Sequence, residues 1–374
     1  MKIRNVIKEA LDSTFINSSE VAEVISLGYQ AQKNVLLWGP PGYGKSQMVQ
    51  LALEEVAREE LLDPERDVFV QSFGEGMTEG RLWGGVDLKA LETDHVVRYF
   101  PENSFLAKPL VIFEELLDAP PVVLLSLKDT LTARELRNGS QRYKMKTRFI
   151  VAVTNKEPAE LSEMGPEYKA IIERFPIQYN VKWGKHDEAS YLMLFDKVCP
   201  SAPEWVGRDL SNLFAVREEG VEPISPRTAV HALECVLAQW KALGGDSGGD
   251  DAKMRALECV RYVAGIDSSN LDERFERMKE RMVVRKCRKA VSSYSSRFYD
   301  LERKFERMST MKVSIEERLK RYSELKRTVE EVLEEYGTLQ VHDDVFEEYR
   351  KLRESFERLI AEVKKAIMEV VEGL

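Results

Sequence analysis

The sequence predicts an α/β fold with a parallel sheet between helices, then a smaller helical lid domain, then a C-terminal antiparallel helical hairpin forming a coiled coil. Three observations predict it. Short apolar runs alternate with helical stretches over residues 1–184. The first run ends in a Gly/Pro-rich turn that opens directly into a helix. From residue 268 onward, apolar residues recur every seven positions. The expected domains are therefore residues 1–184, 185–267 and 268–374.

Residues 1–33 read as amphipathic helix, with Ser18-Ser19-Glu20 placed to cap the apolar positions Val21, Val24, Ile25 and Leu27. Strands are expected at Val35–Trp38, Val68–Phe73, Pro109–Phe113, Arg148–Val153 and Ile177–Val181. Their apolar character and the helices between them indicate parallel strands buried on both faces. Within residues 83–108, the alternation in Val86-Asp87-Leu88-Lys89 and the β-rich Val96–Phe100 suggest a hairpin. A second hairpin is expected in residues 132–147, where Arg137-Asn138-Gly139-Ser140 supplies the turn. After Trp183-Gly184 the composition becomes helical, over Lys185–Val198, Arg227–Leu243 and Lys253–Gly265. The stretch Gly244–Asp251 reads as a flexible linker by composition.

In the last third, Cys287, Tyr294, Leu301, Met308, Ile315, Tyr322, Val329 and Tyr336 step by seven. Phe298, Phe305, Leu319, Leu325, Val332 and Leu339 fill companion positions, which makes a coiled-coil seam. Gly337 and His342-Asp343-Asp344 interrupt it, and Asp343 or Asp344 is placed to cap a second arm bearing Val345, Tyr349, Leu352, Phe356, Leu359, Val363 and Val370. The first arm is basic around Arg281, Arg285, Lys286, Arg288 and Lys289, and the turn region is acidic. A charge run is usually a solvated helix face. The other reading is a docking arm for an acidic partner or nucleic acid.

The chemistry concentrates at strand ends. Gly39-Pro40-Pro41-Gly42-Tyr43-Gly44-Lys45-Ser46 fits G-x-x-x-x-G-K-[ST], the phosphate-binding P-loop, with a strand before it and a helix from Gln47 after it. Glycines let backbone N–H groups face phosphate oxygens, and the helix adds the positive end of its dipole. Lys45 would reach the β- and γ-phosphates and the Ser46 hydroxyl would bind Mg²⁺. The third strand ends in Glu114-Glu115 and the fourth in Thr154-Asn155. Glu114 would hold Mg²⁺ through water, Glu115 would polarise the attacking water, and Asn155 would orient that water or touch the γ-phosphate. An isolated Glu pair after a strand would more often be a solvated helix start, but the P-loop upstream reverses that preference.

The 374 residues suffice for two or three domains. Hydrophobic residues make up 43% and charged residues 32%, which suits a soluble, helix-rich protein. A net charge of −9 argues against a large nucleic-acid footprint without excluding a local basic groove. Cys199, Cys235, Cys259 and Cys287 are too scattered for a disulfide frame or zinc site and read as reduced thiols. No apolar run approaches the length of a membrane span and the N-terminus leads into no signal-like core, so a cytoplasmic protein is expected.

Over residues 18–265 the chain resembles the AAA+ ATPases, and within them the MoxR-like branch. The resemblance rests on the P-loop, on Leu110–Glu115, and on Ala119-Pro120-Pro121 with the helix after it. It rests further on Asn155, on Ile172-Glu173-Arg174-Phe175-Pro176 and on Ile224-Ser225-Pro226-Arg227-Thr228-Ala229. It implies that Gly39 to Gln47 bind ATP, that Asn155 is sensor 1, that Arg174 is an arginine finger and that Arg227 is sensor 2. It also places the inserts at 83–108 and 132–147 as the helix-2 insert and the pre-sensor-1 hairpin, facing a partner across the ring centre or standing as ordinary surface hairpins. The sequence departs from the family at Glu114, where Asp is usual, and at Leu117-Asp118, where the family has an Asn-Arg pair.

The expected protein is an ATP-hydrolysing ring, most simply a hexamer, that remodels a protein partner docked on the C-terminal hairpin or the central hairpins. The ring follows from Arg174, which would serve a neighbour's γ-phosphate in trans. MoxR-like proteins often work beside von Willebrand factor A-type partners, which the resemblance implies and no residue here shows. Two rival readings stay open: a nucleic-acid translocase of restriction type, and a scaffold whose nucleotide only locks the assembly.

Overall fold

The computed structural model describes residues 2–156, 160, 165–216, 222–245, 249–266, 268–311 and 313–372. It divides into two compact units, Met1–Asp267 and Ser268–Leu374.

In the first unit, β1 (Val35–Trp38), β2 (Val68–Ser72), β3 (Leu110–Glu114), β6 (Phe149–Thr154) and β7 (Ile177–Asn180) form one parallel sheet in the order β2-β3-β6-β1-β7. A separate antiparallel hairpin pairs β4 (Glu135–Asn138) with β5 (Gln141–Lys144). Alternation along each strand builds two cores. Leu36, Val111, Phe113, Ile150 and Ala152 face one side, where α4 (Pro121–Ala133) and α5 (Pro166–Ile172) contribute Val123, Leu124, Leu127 and Ile171. Val35, Leu37, Leu110, Ile112, Val151 and Val153 face the other, covered by α1 (Lys2–Thr14), α2 (Ser19–Ala31) and α3 (Lys45–Glu59). Both faces being dry explains why the central strands β1, β3 and β6 are apolar almost without a break, whereas the edge strands β2 and β7 carry Gln71, Ser72, Gln178 and Asn180.

The register puts the functional strand ends level. Ser72 is paired with Glu114, Glu114 with Val153, and Trp38 with both Thr154 and Asn180. Everything leaving the sheet at this edge therefore starts from one line, where ligands of open α/β sheets bind.

The helical part of this unit holds α6 (Glu188–Val198), α7 (Glu204–Phe214), α8 (Pro226–Ala242) and α9 (Gly249–Glu258). Three expectations change here. Residues 86–89 are not a strand: the Asp87 carboxylate accepts from the Ala90 N–H at 3.0 Å and caps a helix, Leu88–Asp94, leaving only the isolated bridge Val86–Tyr99. Ser18 stands at the N-cap of α2 but makes no side-chain cap bond, and its hydroxyl donates instead to Asp12 at 2.9 Å. Within the expected linker Gly244–Asp251, residues 246–248 lie outside the described residues, and α9 already begins at Gly249.

Among the described residues the second unit holds three helices rather than two arms. α10 (Ser268–Thr310) stops before Met311–Ser314, and α11 (Ile315–Gly337) and α12 (Asp343–Glu372) follow. Tyr294 meets Tyr336 and Phe305 meets Tyr322, so α10 and α11 run antiparallel, while Arg288 meets Glu348 and Phe298 meets Phe356, so α12 runs parallel to α10. The core holds Phe298, Leu301, Leu325, Val329, Phe356, Leu359 and Val363, and a second cluster gathers Val291, Tyr336, Val345 and Tyr349. Neither Asp343 nor Asp344 caps α12 as expected; both lie in its first turn, and the Asp344 N–H donates to His342 Nδ1 at 3.3 Å.

Candidate active site

Between β1 and α3 the chain makes the turn Gly39–Gly44. Gly42 has φ 81°, and a side chain there would meet the Ser225 hydroxyl at 2.6 Å, so only glycine fits. Its carbonyl accepts from the Arg227 N–H at 3.1 Å, which fastens the turn to the first residues of α8. Lys45, the first residue of α3, is buried to 6% exposure. Its ammonium donates to the carbonyls of Gly39 (2.7 Å) and Pro40 (2.8 Å) and to Asn155 Oδ1 (2.8 Å). Ser46 is the second residue of α3.

Asn155 continues the line: its Nδ2 donates to Glu115 Oε1 at 2.6 Å. With the amide oxygen on Lys45 and the nitrogen on Glu115, its orientation is decided by its partners. Burial, with the nearby Asp118 adding to it, holds the Glu115 carboxyl above the usual carboxylate range; Lys45 and Asn155 pull the other way. Glu114 keeps strand geometry and accepts from the Ser72 hydroxyl at 2.9 Å. Lys45, Asn155, Glu115, Glu114 and Ser72 thus form a row along the level strand ends.

Beside the turn opens a cavity of about 640 Å³, walled by Phe15, Ile16, Met48, Trp183 and Val230 and reached by Gly42, Tyr43, Gly44, Gln47 and Arg227. An apolar recess of this size beside a Gly-rich turn suits a nucleotide's base and sugar. Pro40, half-buried, and Pro41, exposed, complete the turn. Arg174 stands apart from this group: its Nε donates to Thr132 at 2.8 Å and its guanidinium pairs with Glu173 at 3.6 Å. Two further features escape the sequence reading. Ser72 is an ordinary strand end until the β2–β3 register sets it against Glu114. Tyr43 reaches His186, 143 positions away, at 3.2 Å.

The model of the MoxR domain in the MoxR-vWA-beta-propeller ternary systems matches residues 1–195, more than half of the 374. The chain is a member of the MoxR family of AAA+ proteins. No curated protein matches it. Among solved structures, this MoxR-family chain is similar to the ORC2 protein of Aeropyrum pernix in ADPNP-ADP complexes, at 14% identity and TM-score 0.47, over 69% of this chain and 71% of that one. It is similar to NtrX of Brucella abortus in complex with ATP, at 14% identity and TM-score 0.47, over 70% of this chain and 60% of that one. Domain III of the replication initiation protein DnaA of Thermotoga maritima is similar at 16% identity and TM-score 0.42, over 62% and 90%.

Among the described residues no helix is long and apolar enough to cross a membrane, and no three His, Cys, Asp or Glu side chains gather as a metal site.

Proposed function

We propose that this MoxR-family protein binds ATP with Mg²⁺ and hydrolyses it as one subunit of a ring, most simply a hexamer, that remodels a protein partner. The observation that supports hydrolysis best is the row Lys45–Asn155–Glu115, which sets a buried cation beside a carboxylate through one amide. Gly39 to Gln47 would cradle the phosphates on backbone N–H groups, with Lys45 on the β- and γ-phosphates. Ser46 and Glu114 offer hydroxyl and carboxylate oxygens, the donors that Mg²⁺ prefers, and the ion would offset phosphate charge there. The extra methylene of Glu114 relative to Asp keeps that carboxylate. Glu115 would polarise the attacking water, with Asn155 holding it in place. Arg227 would read the γ-phosphate from α8, and Arg174 would serve the neighbouring subunit.

A protein partner is supported by the family's setting beside vWA and beta-propeller components. One surface also fits that role. Asn138 donates to the Val97 carbonyl at 2.8 Å and Gln141 bonds Tyr99 at both its N–H and its carbonyl, so the 83–108 insert and the β4–β5 hairpin present a joint face. On the insert, Leu88, Leu91, Val96, Val97 and Phe100 are exposed. Such a patch marks contact with another protein more readily than with a nucleic acid. The second unit offers another docking element of helical kind.

Substitution tests the reaction. Glu115→Gln should retain ATP binding while turnover falls about 10²-fold or more. Lys45→Ala should weaken binding itself in a nucleotide titration. Equal turnover in Glu115→Gln and the parent protein removes Glu115 from the mechanism. Stimulation of turnover by DNA or RNA would favour the translocase, and binding without turnover the scaffold.

A further inference from the structure

We propose that His186 is a positioning residue: as a neutral imidazole it couples the phosphate-binding turn to the helix that presents Arg227. The inference rests on the nucleotide site proposed above. Tyr43 sits between Gly42 and Gly44, both at positive φ, and its side chain reaches from the turn to His186. The Tyr43 hydroxyl lies 3.2 Å from His186 Nε2, and His186 Nδ1 lies 3.1 Å from the Tyr191 hydroxyl. Tyr191, fully buried on α6, donates its proton to the Ile224 carbonyl at 2.6 Å. That bond decides the direction of the others. With its proton on Ile224, the Tyr191 oxygen accepts from Nδ1–H, leaving Nε2 to accept from Tyr43. Burial, which lowers the imidazole's affinity for a second proton, favours the same neutral state.

The line ends where α8 begins. Ile224 precedes Ser225, the N-cap of α8, and the Arg227 N–H donates to the Gly42 carbonyl at 3.1 Å. Two routes therefore join the turn to the start of α8: the direct Gly42–Arg227 bond, and the relay Tyr43–His186–Tyr191–Ile224. Trp183 packs on both His186 and Tyr191 with ring centroids 4.8 Å apart, which restricts how the imidazole can turn. A shift of the turn on taking up phosphate would thus be transmitted to Arg227 with little slack. The relay acts on Arg227, not on the reacting atoms.

The test uses the full-length chain, with ATP affinity measured by titration and turnover measured separately. Tyr43→Phe and His186→Phe keep ring bulk and remove the relay bonds. Each should lower turnover about tenfold, the effect of one lost buried hydrogen bond, while in His186→Phe, which lies outside the turn and the cavity wall, ATP affinity moves less than about twofold. Because both act on one line, Tyr43→Phe/His186→Phe should be no worse than either alone, and neither should add to the loss in Arg227→Ala. His186→Gln, whose amide can both accept and donate, should restore part of the turnover. Unchanged turnover in Tyr43→Phe, or losses that multiply with Arg227→Ala, would overturn the relay. Lys45→Ala separates the two readings. If it and the parent protein bind ATP equally, the nucleotide site itself is wrong and the relay falls with it. If only the parent binds, a silent Tyr43→Phe sinks the relay alone.

Discussion

Glu115 leaves β3 in the left-handed region, with φ 52°. For a residue with a Cβ that conformation costs about 1 kcal/mol or more, so the surroundings must hold it. What it achieves is visible at the neighbouring position. Glu114 continues the strand and bonds Ser72, while the turn at Glu115 brings the next carboxylate to Asn155. Two adjacent glutamates thus serve two different neighbours. Under the proposed mechanism the ionised Glu115 is the active form, and its raised pKa makes that form disappear first as pH falls. The acid limb of turnover should then lie above the ordinary glutamate range. Asp118 is one cause of the rise, after burial, so Asp118→Asn should move the limb to lower pH without abolishing turnover. A pH–rate profile unchanged in Asp118→Asn would show that burial alone sets this carboxyl. The mutation also removes the Lys156–Asp118 pair at 3.1 Å, so a melting curve should accompany the profile.

At the scale of elements, legibility in the sequence depended on whether the deciding signal was local. The three central strands, β1, β3 and β6, are legible because they are apolar on both faces, the edge strands β2 and β7 from their partly apolar runs, and the turn after β1 because its glycines and lysine are contiguous. The Leu88–Asp94 helix is hidden in the sequence because four residues of alternation outweigh one capping side chain, Asp87. The break between α10 and α11 hid for a different reason. Ile315 falls seven after Met308, so the repeat runs in register from the end of α10 to the start of α11. A contrary signal was present: Ser314-Ile315-Glu316-Glu317 matches a capping box, and Ser314 Oγ accepts the Glu317 N–H at 3.3 Å. Helix α7 also has a local signal, the apolar face Trp205, Val206, Leu210, Leu213 and Phe214. The site's contacts between distant positions are not local: Ser72 with Glu114 depends on strand register, and Tyr43 with His186 on how the segment after β7 packs against the turn. The three-helix unit has its own core, so residues 268–372 should fold alone and give a helical circular dichroism spectrum. In urea unfolding of that fragment, Phe356→Ala should cost about 3–5 kcal/mol, since Phe356 is fully buried. A coil spectrum for the parent fragment, or a loss under about 1 kcal/mol, would mean that this core is not what holds it.

For the whole molecule the open issue is whether one chain makes a complete site. Arg174 lies between α5 and β7, and its bonds run to Thr132 on α4 and to Glu173, neither of which belongs to the row around Lys45. Its side chain remains 31% exposed. Two readings fit that placement. In one, Arg174 is a local brace between α4 and the segment before β7. In the other, the brace holds a guanidinium ready for the next subunit's γ-phosphate, where such a group contributes about 10³-fold or more in related systems. Mixing distinguishes them. Arg174→Ala subunits keep their own P-loop, and Lys45→Ala subunits keep their arginine. Each variant alone should be nearly inactive under the trans reading. In a mixed ring, the arginine of a Lys45→Ala subunit can complete the site of an Arg174→Ala neighbour, so part of the turnover should return as the two are titrated together. A local brace predicts something else: Arg174→Ala loses stability, seen as an earlier melt, and mixing restores nothing. Mixed rings shown to form by mass, yet as inactive as either parent, would therefore assign Arg174 to the fold of its own subunit.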